Sequence, residues 1–199
     1  MKILAFSDLH RDVDAAKIIL DSSGDADLLI GAGDFATTGQ GAGETLSLLA
    51  QSAKPVIVVH GNHDDPKEIA EICQRSESLH YLHGQSLSFG GIRFFGLGGE
   101  IPSRNGFPWN AAESENRAAD MLLECPDDAI LITHTPPFEL SDLQKGGSHE
   151  GSKAIKAHVL AHEPKLALCG HIHNAWGMTA TCGATLVQNL GPTINWFEV

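Results

Sequence analysis

The sequence has no long apolar run and no paired-cysteine motif. Its longest apolar stretches, such as 129–132 and 166–169, are far too short to span a bilayer, so we expect no membrane segment. The N-terminus has no basic region followed by an apolar stretch, and we therefore expect no signal peptide. The cysteines are Cys73, Cys125, Cys169 and Cys182. None forms a Cys-x-x-Cys pair, so we expect reduced core thiols in a cytoplasmic protein.

Basic residues are also scarce. Lysine and arginine total 13 against 25 aspartates and glutamates, which gives a formal net charge of −12. This balance disfavours polymeric nucleic acid as a partner, because its binders neutralise phosphates with a basic surface. It is compatible with a small phosphorylated substrate, because bound metal ions reverse the local charge. The 199 residues, 42% of them hydrophobic, predict one domain covering 1–199.

Short β-like runs alternate with amphipathic helical stretches along the chain. We predict strands at 2–6, 28–30, 55–59, 129–132 and 166–169, and a hairpin over 87–97 that turns at two glycines. We predict helices from the stripe Val13, Ala16 and Leu20, at 45–49, after Asp65-Pro66, and around 112–124 and 153–161. Long loops fall at 98–110 and 134–151. The pattern indicates an α/β domain with a mixed sheet and an added β-rich C-terminal portion.

Polar side chains follow the predicted strands at their carboxyl ends, and seven of them are types that bind metals. They are Asp8, His10, Asp34, Asn62, His134, His171 and His173. In α/β proteins, sites form in the crevice beyond the carboxyl ends of the strands. We therefore expect these groups, which lie on five loops, to meet at one edge.

Each of these residues also has an ordinary structural interpretation. Asp8 and Asp34 suit helix caps or turns, Asn62 suits a left-handed turn after Gly61, and His134 suits a plain strand end. The metal hypothesis depends on their joint arrangement. Carboxylates, an amide and imidazoles without a thiolate suit Mn²⁺ or Fe, with Zn²⁺ also compatible. Two such ions lie about 3.5–4 Å apart when one carboxylate bridges them. Together they lower the pKa of a water molecule that bridges them.

Five sequence blocks contain these residues and resemble the calcineurin-like metallophosphoesterase superfamily. They are Ser7-Asp8-Leu9-His10, Gly33-Asp34-Phe35, Gly61-Asn62-His63-Asp64, Thr133-His134-Thr135 and Gly170-His171-Ile172-His173. Thr133-His134-Thr135-Pro136-Pro137, Gly151-Ser152 and Asn189-Leu190-Gly191-Pro192 are more narrowly similar to the compact prokaryotic Icc-related phosphoesterases. The resemblance implies an α/β (α+β) fold, a four-layer αββα sandwich of two mixed sheets flanked by helices.

The resemblance also implies roles for the residues in these blocks. One divalent transition metal would be bound by Asp8, His10 and His173. A second would be bound by Asn62, His134 and His171, and Asp34 would bridge the two. The reaction would be hydrolysis of a phosphodiester by in-line attack of a metal-bridging hydroxide. A phosphomonoester is the less favoured substrate. His63 would protonate the leaving oxygen, and Asp64 would orient His63 through its ring N–H.

The two long loops supply weaker candidates for substrate contacts. His149 could contact the substrate over the metals, Arg104 could hold a second phosphate or carboxylate, and Trp109 could stack on a base. An ordinary loop role is the alternative for each, and Glu100 and Asn105 have no predicted role beyond it.

Two other functions stay open as alternatives. A non-catalytic scaffold on this fold is disfavoured because the motif histidines are intact, and a nuclease is disfavoured by the acidic charge. The sequence leaves the substrate, the native metal and the oligomeric state open.

Overall fold

The computed structural model describes residues 1–199 and contains two mixed β-sheets. The first sheet is built mainly from strands of the N-terminal part of the chain. Its strands are β1 (Lys2–Phe6), β2 (Leu28–Gly31), β3 (Val56–Val58), β4 (Leu79–Tyr81) and β11 (Asn195–Glu198). Their order is β11-β1-β2-β3-β4, with β1 to β4 parallel and β11 antiparallel to β1. The carboxyl ends of β1 to β4 therefore share one edge.

The second sheet has six strands in the order β5-β6-β7-β8-β10-β9. They are β5 (Gln85–Phe89), β6 (Ile92–Leu97), β7 (Ile130–Thr133), β8 (Leu166–Cys169), β9 (Thr179–Cys182) and β10 (Thr185–Asn189). Strands β6, β7, β8 and β10 are parallel, while β5–β6 and β9–β10 are antiparallel hairpins. The predicted hairpin over 87–97 is confirmed.

Five helices flank the sheets. They are α1 (Val13–Ser22), α2 (Ala42–Leu49), α3 (Pro66–Gln74), α4 (Glu115–Leu122) and α5 (Lys153–His162). The start of α3 is as predicted, because Asp65 caps the Lys67 amide and Pro66 occupies the first turn. No helix combines the length and the apolarity needed to cross a bilayer.

Three apolar clusters divide these elements into four layers. In the first cluster, Ala16, Leu46 and Ile69 of α1 to α3 pack against alternate residues of the first sheet, such as Leu4 and Phe6. In the second, the other face of that sheet, with Ile3, Ile30 and Ile57, meets Phe94, Ile132 and Leu168 of the second sheet. In the third, α4 and α5 cover the outer face of the second sheet through Met121, Leu122, Ile155 and Val159. The αββα sandwich predicted from the resemblance is confirmed.

Several local predictions need correction. The structure has a strand, β4, that the sequence pattern does not predict, because its three residues include His80 and Tyr81 and show no apolar run. In α1 the buried residues are Ala16 and Ile19, whereas Val13 is only half-buried. The C-terminal segment is not an added portion. It supplies β9 and β10 to the second sheet, where β10 pairs with β8. It also supplies β11 to the first sheet, where β11 pairs with β1 at the opposite end of the chain.

Candidate metal centre

The loops after β1, β2, β3, β7 and β8 bring the seven predicted ligands together at one edge of the sandwich. Each is joined to the next by a contact of 3.7 Å or less between side-chain atoms, from Asp8 through His173, His10, Asp34, His134 and Asn62 to His171. Their donor atoms form two groups on either side of Asp34. The predicted convergence of the seven residues is therefore present in the structure.

The first group contains Asp8, His10 and His173. The Nε2 atoms of His10 and His173 lie 3.2 Å apart, and His173 Nε2 lies 3.7 Å from Asp8 Oδ1. The Nδ1 of His10 lies 3.2 Å from the Ala36 carbonyl, which can only accept, so the proton of the neutral ring lies there. The Nε2 lone pair of His10 is thus free for a cation at this position.

The second group contains Asn62, His134 and His171. Asn62 Oδ1 lies 3.2 Å from His134 Nε2 and 3.0 Å from His171 Nδ1. The Nδ1 of His134 donates to the Ala32 carbonyl at 2.8 Å, which leaves Nε2 toward the site. An amide oxygen and two ring nitrogens converge here, as a second cation would require.

Asp34 lies between the two groups. Its Oδ2 is 3.4 Å from His10 Nε2 and 3.4 Å from His134 Nε2, so one oxygen faces a ligand of each group. Its other oxygen, Oδ1, accepts the backbone N–H of His63 at 2.8 Å. This hydrogen bond fixes the carboxylate plane and leaves Oδ2 for the metal side.

The backbone of the ligand loops is strained in the way that functional sites often are. Asp8, His10, Asp34 and His171 all have left-handed conformations, with φ of 56°, 44°, 58° and 71°. Such conformations cost non-glycine residues about 1–3 kcal/mol each and persist where the surroundings impose them.

The glycines of the motif blocks leave space for the carboxylates of the site. A Cβ on Gly170 would lie 2.5 Å from Asp8 Oδ2, and one on Gly61 would collide with Asp34 Oδ1.

The buried charges of the metal-free site compensate each other. Burial by itself would raise the pKa of Asp34, but the charge of His134 and its hydrogen bond outweigh burial and hold that pKa well below its usual range. Burial would lower the pKa of His134, but Asp34 and then Asp8 outweigh it and raise that pKa to about 9. Burial lowers the pKa of His171 well below its usual value. Without metal, a proton on His134 therefore compensates part of the carboxylate charge.

His63 borders a cavity beside the two groups. The cavity measures about 330 Å³ and is lined entirely by polar residues: Asp34, Asn62, His63, Gln144, His171, His173 and Asn174. The Nδ1 of His63 accepts the Thr38 backbone N–H at 3.1 Å, so its neutral ring carries the proton at Nε2. Burial lowers the pKa of His63, although the charge of Asp34 opposes this.

The prediction that Asp64 orients His63 through its ring N–H is wrong. The Asp64 carboxylate is fully buried and accepts three backbone N–H groups, from Asp34 at 2.9 Å, Ala36 at 2.7 Å and Gly61 at 2.7 Å. The ring nitrogen of His63 that would need a carboxylate is itself an acceptor from Thr38. The Asp64 carboxylate therefore joins the loops after β2 and β3 through their backbone and does not orient the His63 ring.

The two predicted substrate residues lie outside this cavity. His149 Nδ1 is 2.7 Å from a carboxylate oxygen of Asp142, a contact within its own loop. The Arg104 guanidinium donates to the Glu150 carbonyl and lies 3.9 Å from Glu100 Oε1. Gln144 and Asn174 line the cavity instead. Asn174 directly follows the Gly-His-Ile-His block, which is a sequence clue to its position, whereas no pattern marks Gln144.

Comparisons with known proteins identify the family of the chain. The model of the calcineurin-like phosphoesterase family matches residues 1–175, and the chain belongs to that family. The family consists of phosphoester hydrolases that use divalent metals. The superfamily predicted from the five blocks is thus confirmed.

Individual relatives are more distant. A UPF0046 protein of Caenorhabditis elegans is 28% identical over 94% of this chain and 69% of its own length. A probable cyclic nucleotide phosphodiesterase of Synechococcus sp. is 29% identical over 81% of this chain and 66% of its own length. The crystal structure of the protein TT1561 of Thermus thermophilus has a TM-score of 0.79 at 19% identity, over 99% of this chain and 98% of that one. The structural likeness establishes the fold alone.

The close approach of Gly61 to Asp34 gives a test of the metal centre. We predict that Gly61→Ala lowers metal content after reconstitution with Mn²⁺, because the new Cβ displaces Asp34 Oδ1 and the carboxylate turns with it. The matched control is Gly146→Ala, since a Cβ there meets nothing within 4 Å. Elemental analysis and thermal unfolding of both variants measure the effect. Equal metal content in the two variants would contradict the prediction.

Proposed function

We propose that the chain is a phosphoesterase with two divalent metals, acting as one domain over residues 1–199. The observation that carries the proposal is the position of Asp34 Oδ2, 3.4 Å from a ring nitrogen of each ligand group. Asp8, His10 and His173 would hold one metal, and Asn62, His134 and His171 the other. The donor set of imidazoles, carboxylates and one amide suits Mn or Fe, with Zn also compatible.

The chemistry is divided between the metals and the side chains of the cavity. When bound, two divalent metals supply positive charge that offsets the phosphate and lower the pKa of a water that becomes the nucleophile. His63 borders the cavity and uses Nδ1 for Thr38, so Nε2 is the nitrogen left for the substrate. We assign Nε2 of His63 as the donor to the departing oxygen.

The substrate is small, phosphorylated and, in this proposal, a phosphodiester. The side-chain amides of Gln144 and Asn174 line the cavity and are joined at 2.6 Å, and they can donate to the parts of the substrate beyond phosphorus. The Trp109 indole lies 4.6 Å from the His63 ring and stacks on Phe107 with ring centroids 5.3 Å apart, so this aromatic pair would contact a base on the leaving-group side. The Synechococcus relative, described as a probable cyclic nucleotide phosphodiesterase, supports the preference for a diester.

A substrate panel with Mn²⁺ tests this function. It compares bis-p-nitrophenyl phosphate, p-nitrophenyl phosphate, cyclic nucleotides and nucleoside diphosphates. We predict that the diesters are hydrolysed with higher kcat/KM than the monoester. Hydrolysis of the monoester alone would overturn the diesterase assignment, and processive cleavage of long DNA would favour the nuclease. The scaffold would be favoured by the absence of both bound metal and hydrolysis.

The His63 assignment has its own test. On the best substrate of the panel we predict that His63→Ala lowers kcat by about 10²–10⁴, as expected for loss of a general acid. Metal content should stay at the wild-type level, because the His63 ring lies outside both ligand groups. His162→Ala is the control, since His162 is partly exposed and pairs with Asp127 away from the site. Loss of metal from the His63 variant, or an unchanged kcat, would refute the assignment.

A further inference from the structure

A buried carboxylate lies directly behind the second ligand group. Glu100 follows β6 and is only 4% exposed, yet it belongs to none of the motif blocks. Its Oε1 lies 3.7 Å from His171 Nε2, and its Oε2 accepts the Asn110 side-chain N–H at 2.9 Å and the Arg104 backbone N–H at 3.0 Å. We propose that Glu100 is a positioning residue that prepares His171 and Asn62 for the second metal. This inference rests on the proposed two-metal function.

His171 faces the site with a different ring nitrogen than His10 and His134 do. His10 and His134 direct Nε2 inward and use Nδ1 for backbone carbonyls. His171 directs Nδ1 inward, toward Asn62 Oδ1, and Nε2 outward, toward Glu100. A neutral imidazole has one proton, so Nδ1 can bind a metal only when that proton is on Nε2. An acceptor beside Nε2 stabilises this tautomer, as carboxylates commonly do for metal-binding histidines.

The same carboxylate determines the orientation of two amides. A carboxylate only accepts hydrogen bonds, so Asn110 must turn its NH₂ group toward Glu100 and its oxygen toward Asn62. The Asn110 oxygen in turn accepts the Asn62 NH₂ group at 3.0 Å. Asn62 is thereby left with Oδ1 facing His134 and His171, which is the atom that a metal would bind.

Arg104 stabilises the Glu100 carboxylate in its buried position. Its guanidinium lies 3.9 Å from Glu100 Oε1 and also donates to the Glu150 carbonyl. A nearby cation reduces the free energy required to keep a carboxylate out of water. The contact also accounts for the position of Arg104 behind the ligands, outside the cavity where the substrate was expected to meet it.

The variant Glu100→Gln separates positioning from simple structural support. Oε2 accepts two N–H groups, so the glutamine oxygen should take that place and its NH₂ group should face His171 Nε2. A donor there favours the proton on Nδ1, the nitrogen that the metal needs. The control is Glu113→Gln, because Glu113 Oε1 lies 3.6 Å from His83 Nε2 in the same loop region but faces no metal ligand.

The measurement is a calorimetric titration of the metal-free proteins with Mn²⁺. We expect wild type and the Glu113 variant to bind two equivalents, and the Glu100 variant to bind one of the two roughly 10–100-fold more weakly, the range typical for loss of an outer-sphere partner. Wild-type affinity for both equivalents in the Glu100 variant would overturn the proposal. Equal weakening of both, with a lower unfolding temperature, would also overturn it, since that indicates structural support alone.

A second variant keeps the test decisive if Glu100→Gln does not fold. Asn110→Ala removes only the link to Asn62 and should weaken one equivalent while the other keeps its affinity. Unchanged binding of both equivalents in this variant would overturn the proposal. If wild type itself binds fewer than two equivalents, the two-metal function fails first, and the inference about Glu100 fails with it.

Discussion

The hydrogen bonds of the Asp64 carboxylate hold the loops of the candidate metal centre in one arrangement. They join the backbone of the loop after β2, at Asp34 and Ala36, to the loop after β3, at Gly61. Burial, with the charge of Asp34, raises the pKa of Asp64 to about 7, while the hydrogen bonds from Gly61 and Ala36 act in the opposite direction. Without these bonds a buried carboxylate would be costly, and the left-handed backbone of Asp34 would lose one of the hydrogen bonds that restrain it.

The apolar contact between the two sheets extends this restraint to the whole site. Four of the seven candidate ligands follow strands of the first sheet: Asp8, His10, Asp34 and Asn62. The other three, His134, His171 and His173, follow strands of the second sheet. The inter-sheet cluster fixes the distance between these two sets of loops. Interiors packed at crystal-like density resist displacement, so the sheet packing and the polar loop contacts together determine where a metal would be held.

The sequence was informative where function depends on residue type at a strand end. The convergence of the seven candidate ligands could be predicted because each follows a short apolar run, and His63, in the same block as Asn62, lines the cavity beside them. Contacts between distant loops could not be predicted in this way. The partners of Asp64, the contacts of Glu100 and the position of Gln144 all depend on loops that are distant in sequence and meet only in the folded sandwich. His149 and Arg104 were placed in the right loops, but their partners, Asp142 and Glu150, turn them away from the cavity.

The central claim is that Asp34 is shared by two metals, and the metal content of Asp34→Asn tests it most directly. The proteins would be reconstituted with Mn²⁺, desalted and analysed for metal per chain, with Asp65→Asn as control because asparagine also caps helices well. We predict two metals in wild type and in the control. We predict none, or close to none, in the Asp34 variant, since the amide would weaken both positions at once. Two metals retained by a folded Asp34→Asn protein would contradict the claim.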